Sequence, residues 1–155
     1  MRLTEFLSSA VIKVPLEGST KSEVIRELVE LILTEATDEQ TEAVCHTVME
    51  REHLMSSGIG QGIALPHGFS TGLTTFAVAL GIPPTSIDFD AIDGKPVNLV
   101  FLVISDDDHT NTKLKALARI SRLLHSQEFR TSLAASRSAS EAMQVIVDEE
   151  ARHRI

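Results

Sequence analysis

Residues 97–104 read Val-Asn-Leu-Val-Phe-Leu-Val-Ile, an almost unbroken apolar run. Successive side chains of a strand point to opposite sides. A strand built from such a run therefore needs cover on both faces. This stretch requires a buried strand with a layer of structure above and below it. The rest of the chain offers helices for those layers. Thr20-Lys21-Ser22-Glu23 is a capping box, a hydroxyl with a carboxylate three residues on. Val24, Ile25, Leu28, Val29, Leu31 and Ile32 follow at helical spacing, which predicts a helix to about residue 35. A second helix is expected from about 38 past 49, with Ala43, Val44, Val48 and Met49 inward and its end near 51–54. A third over 112–126 is expected to bury Leu114, Leu117, Ile120, Leu123 and Leu124, and a further helical piece covers 128–135. Ser138-Ala139-Ser140-Glu141 is a second capping box, opening a last helix to about 149. Shorter strands are expected at 11–14, 63–65 and 75–80, and a short helix at 3–8. Strands and helices intermix without a strict βαβ repeat. The fold class is α/β: a three-layer sandwich, a mixed β-sheet flanked by helices on both faces. At 155 residues the expectation is one domain, 1–155.

Charge and composition narrow the function. A formal net charge of −8 argues against a nucleic-acid surface, which needs clustered Lys and Arg. The single cysteine, Cys45, excludes an intramolecular disulfide and fits a reducing compartment. No apolar run reaches the ~18 residues of a spanning helix. The first ten residues lack the apolar centre of a signal peptide. The expectation is a cytoplasmic protein with no nucleic acid and no membrane insertion.

The chemistry concentrates in Ser56-Ser57-Gly58-Ile59-Gly60-Gln61-Gly62-Ile63-Ala64-Leu65-Pro66-His67-Gly68. Glycines permit positive φ and close approach of a backbone to a ligand. Pro66 fixes its own φ and pushes Leu65 toward an extended conformation. The pattern predicts a tight loop, a short strand, and a histidine held at the strand's exit. His67 can be neutral near pH 7 and attack through a free nitrogen lone pair. Gly58, Gly60 and Gly62 can offer N–H groups to phosphate, or form a plain connecting turn. Ser57 can donate a hydroxyl to phosphate, or cap and face solvent.

Competing motifs fail. A dinucleotide fingerprint needs glycine where Leu65 stands, and a strand ahead of the loop. A Walker loop needs Gly-Lys-Ser/Thr. Cys45, His46 and His53 form no recognised metal pattern. Asp106-Asp107-Asp108 lacks the spaced ligands of a Ca²⁺ loop.

The segment 58–68 resembles the phosphorylation site of the enzyme IIA proteins of the bacterial phosphotransferase system, in the fructose/mannitol type. Arg51-Glu52 stands where that family carries an arginine ahead of the glycine loop. Phe89-Asp90-Ala91-Ile92-Asp93-Gly94-Lys95-Pro96-Val97 looks like the nitrogen-regulatory version, and 114–124 is similar to the family's helix after the long strand. The resemblance implies that His67 accepts a phosphoryl group on Nε2 from a small phosphocarrier protein of the HPr type. It implies Nδ1 protonation, for which a backbone carbonyl is a suitable partner, and no cofactor and no metal. It implies regulatory or transport proteins as targets. One position departs. Lys113 stands where the family carries a second active-site histidine, and His109 is four residues too early to replace it. A guanidinium at Arg51 suits bidentate phosphate contact, and a Lys113 ammonium suits charge neutralisation; both also read as solvated helix-end residues. Three functions follow: a nitrogen-type regulatory phosphocarrier, a binding module that relays no phosphate, and a sugar-specific enzyme IIA serving a membrane transporter.

Overall fold

The computed structural model describes residues 2–74 and 76–153. Six strands form one mixed sheet: β1 (Ile12–Lys13), β2 (Gly58–Gly60), β3 (Ile63–Ala64), β4 (His67–Phe69), β5 (Phe76–Gly81) and β6 (Leu99–Ser105). The order is β1-β5-β6-β3-β2, with β4 also on β6. β5 runs antiparallel to β6, while β3 and β4 run parallel to it. The helices are α1 (Lys21–Ile32), α2 (Asp38–Leu54), α3 (Thr110–Leu123), α4 (Gln127–Ala134) and α5 (Ala139–Arg152).

The central strand β6 is buried at every position. Leu99, Phe101 and Val103 join a core with α3, α4 and α5; Val100, Leu102 and Ile104 join a second core with α1 and α2. The three-layer sandwich thus follows from one strand and its alternation. The first anticipated capping box forms in full and the second through its serine alone. Thr20 Oγ1 accepts from Glu23 N at 3.3 Å while Glu23 Oε1 accepts from Thr20 N at 3.2 Å. Ser138 Oγ accepts from Glu141 N at 3.1 Å. Thr37 and Gln40 make a further box at the start of α2.

Several local expectations are corrected. The glycine loop is partly a strand, because Gly58–Gly60 pairs antiparallel with β3. His67 opens β4 rather than leaving a strand. Residues 3–8 hold one 3₁₀ turn, Leu3–Glu5, rather than a longer helix, and a second turn, Ser9–Val11, follows. Leu114 is 57% exposed: α3 packs through Ala116, Ile120 and Leu123, and Leu114 lies over half a turn from Ala116. Ala43 is exposed, because α2 buries the stripe Thr41, Val44, Cys45, Val48 and Glu52. Thr75, expected to open a strand, lies outside the described residues.

Candidate phosphoryl-acceptor site

β3 and β4 lie on β6 in one register: Ile63 faces Leu99, Ala64 faces Val100 and His67 faces Val103. They are one strand broken at Leu65-Pro66. Proline has no N–H to give the ladder, so its carbonyl alone contributes, accepting from Val103 N at 3.0 Å. Leu65 N turns to the other side and donates to Ser57 O at 3.0 Å. His67 is the first residue beyond the break and is half-buried.

The Nδ1 atom of His67 lies 3.3 Å from the carbonyl oxygen of Leu65. A carbonyl only accepts, so this contact is a hydrogen bond when Nδ1 carries the proton; in the neutral ring Nε2 then keeps its lone pair. Burial pushes the His67 pKa below its usual 6.5, the Leu65 carbonyl opposes that, the positive charges of Arg51 and then Lys113 push it down further, and Glu52 pulls it up. Arg51 and Lys113 therefore both bear on His67 electrostatically, although they come from opposite layers.

Arg51 sits in the last turn of α2 and its Nη1 donates to Met55 O at 3.2 Å, closing that helix end. Lys113 sits in the first turn of α3, and its Nζ lies 5.9 Å from the ring centroid of Phe69. Phe69 shares the face of β4 with His67, two residues on. His109 is occupied locally, pairing with Asp106.

The glycines have conformational work of their own. Gly60 and Gly62 have φ of 97° and 81°, flanking Gln61 at 59°; this left-handed path favours glycine. Gln61 N donates to Asp93 Oδ2 at 3.2 Å, and Gly62 O accepts from Asn98 N at 2.8 Å. Gly58 N donates to Ser56 Oγ at 3.0 Å. Ser57 Oγ is buried with no hydrogen-bond partner among the described residues. No cluster of three or more His, Cys, Asp or Glu suited to a metal ion occurs among the described residues. No helix among them is long and apolar enough to cross a membrane.

Residues 5–149 match the family described as phosphoenolpyruvate-dependent sugar phosphotransferase system, EIIA 2. This chain belongs to that family. The nitrogen regulatory protein of Bradyrhizobium diazoefficiens is 34% identical to this EIIA chain over 146 residues, 94% of this chain and 95% of that protein. The fructose-specific EIIABC component of Bacillus subtilis is 33% identical over 146 residues, 94% of this chain but 23% of that protein. The crystal structure of nitrogen regulatory protein IIA-Ntr from Neisseria meningitidis superposes with a TM-score of 0.82 at 30% identity, covering 92% of this chain and 97% of that one.

Around the EIIA histidine stand residues that sequence reasoning passed over. Gly68 lets β4 touch α2: a Cβ there would lie 2.6 Å from Val48 Cγ2 and 2.7 Å from Thr47 Oγ1. Thr47 Oγ1 accepts from Phe69 N at 2.9 Å and donates to Val44 O at 2.8 Å, tying β4 to α2. Glu52 is 6% exposed and binds the Ser57 main chain. A Gly directly after the histidine, and a carboxylate on the same helical stripe as Val48, were the available signals.

Proposed function

We propose that this EIIA chain is a phosphohistidine carrier of the phosphotransferase system. His67 accepts a phosphoryl group from the phosphohistidine of a small carrier protein and passes phosphorylation state on to regulatory or transport proteins. The observation that carries the reading is the Nδ1 contact to Leu65 O at 3.3 Å, which leaves Nε2 as the nucleophile. The depressed His67 pKa keeps the ring neutral near pH 7, as a nucleophile must be.

In the step itself the Nε2 lone pair forms the new N–P bond. The donor's N–P bond breaks and its electron pair returns to the donor ring. Nδ1 keeps its proton throughout, and the Leu65 carbonyl holds it. Phosphoryl transfer leaves the protein mainly positioning and charge stabilisation. Arg51 supplies a guanidinium and Lys113 an ammonium to offset the phosphoryl dianion. The unpartnered Ser57 hydroxyl is the candidate neutral donor, with Gly58, Gly60 and Gly62 shaping the loop beside it.

The nitrogen-type regulatory role is supported by the 34% identity to the Bradyrhizobium regulator and by the TM-score of 0.82 to IIA-Ntr from Neisseria meningitidis. A module that binds without relaying is favoured by Lys113 alone, an ammonium that cannot act as an imidazole does. Incubation with a phosphorylated carrier protein and timed chase onto an acceptor separates the two. Label that enters His67 and leaves on the chase supports the carrier; label that never enters supports the binding module.

A further inference from the structure

The phosphoryl-transfer reading makes no use of the ion pair behind the site. Glu52 is a buried carboxylate in the last turn of α2. Its Oε2 pairs with Lys21 Nζ at 3.0 Å, and that ammonium lies 3.7 Å from Asp90 Oδ2 and 5.4 Å from the Phe89 ring centroid. A buried carboxylate is costly unless it is paired and hydrogen-bonded. Here both of its oxygens also accept from Ser57 N, at 3.1 and 3.2 Å. Two more bonds lead from Ser57 to the imidazole. Leu65 N donates to Ser57 O at 3.0 Å, and Leu65 O meets His67 Nδ1 at 3.3 Å.

We infer that Glu52 is a positioning residue for His67. Its carboxylate fixes the Ser57 main chain, and through it the Leu65 carbonyl that holds the imidazole in the Nδ1–H tautomer. Lys21 pairs with that carboxylate at 3.0 Å and holds it in place. The inference rests on His67 as the phosphoryl acceptor. It adds that the tautomer is set from the α1–α2 layer and not by the strand alone. Arg51 and Lys113 also face His67, but as charges, with no hydrogen bond to the Ser57–Leu65 path.

The test compares the full chain as wild type, Glu52→Asp and Glu52→Gln, with each fold checked by thermal melt. Glu52→Gln keeps an oxygen at the same reach and loses the charge. Glu52→Asp keeps the charge and falls one methylene short of Ser57 N. The first readout is the pair of His67 ring ¹⁵N shifts, which report the tautomer with no donor present. The second is kcat and KM for transfer from a phosphorylated carrier protein. Glu52→Asp is expected to mix the tautomers and to lose about 10- to 100-fold in kcat with KM unchanged, the scale of a small misplacement. Glu52→Gln is expected to keep the wild-type tautomer and most of kcat. A wild-type tautomer in Glu52→Asp overturns the inference, as does equal loss of the tautomer in both variants. A wild type that accepts no phosphoryl group refutes the acceptor reading alone; the tautomer comparison still decides the role of Glu52.

Discussion

At neutral pH the reactivity of His67 depends on which ring nitrogen holds its proton and on how readily a second proton binds. Burial, Arg51 and Lys113 all disfavour the second proton, and together they outweigh the Leu65 carbonyl and Glu52. Removing one like charge should move the balance back. In Lys113→Met the His67 titration, followed by NMR, should shift upward from wild type; an unchanged midpoint would place the ammonium on Phe69 with no bearing on the ring. The same depression has a consequence for stability. The folded pKa lies below the unfolded value near 6.5, so the contribution is fully present above about pH 6.5 and is lost as pH falls through the folded pKa. Denaturant melts should show wild type losing stability on acidification over that interval and His67→Gln losing less; parallel curves would contradict the shift. Arg51 has two roles to separate. Arg51→Ala loses the bond to Met55 O, worth about 0.5–1.5 kcal/mol of fold stability. In the proposed site it would also lose a charged phosphate contact, worth about 1.5–3 kcal/mol. Transfer should therefore slow more than the melt shifts, and a large melt shift with intact transfer would make Arg51 purely structural.

The elements α2 and β4 meet without room between them. Gly68 sits against Val48 and Thr47, and an added Cβ would lie 3.0 Å from Val48 N, which is backbone and cannot swing aside. Gly68→Ala should cost about 1–3 kcal/mol by overpacking. It should also slow transfer, because α2 carries Arg51 and β4 carries His67. Denaturant unfolding with a transfer assay measures both, and a variant as stable as wild type would show that the helix shifts freely. This contact was not legible in the sequence, since glycine at 68 reads equally well as a turn. The strands β2 and β4 were hidden for a related reason. Glycines and a proline carry little strand propensity, and pairing with β3 and β6 overrides that. The long helices were legible because Thr20 with Glu23 and Ser138 with Glu141 announce their starts. The burial of Glu52 was not, because a carboxylate at a helix end reads as solvated until its partner Lys21 arrives from another helix.

Across the whole molecule, three distant stretches converge on one place because of β6. That strand aligns His67 opposite Val103. Its exit leads through Asp107–His109 into α3 and Lys113. The layer on its other face brings the end of α2 and Arg51. The apolar run at 97–104 announced this frame. The position of His67 after Pro66 pointed to the proposed acceptor, through the family resemblance. What stayed hidden was which side chains from each layer bear on the ring, since that depends on packing between helices far apart in sequence. The frame predicts that His67 can be removed without loss of the fold, because it is half-buried at a strand end and belongs to neither core. The central claim is tested by incubating wild type and His67→Ala with a phosphorylated carrier protein at neutral pH and measuring intact mass. Wild type is predicted to gain one acid-labile phosphoryl group, and folded His67→Ala to gain none. Equal acid-labile label on both proteins would contradict the account.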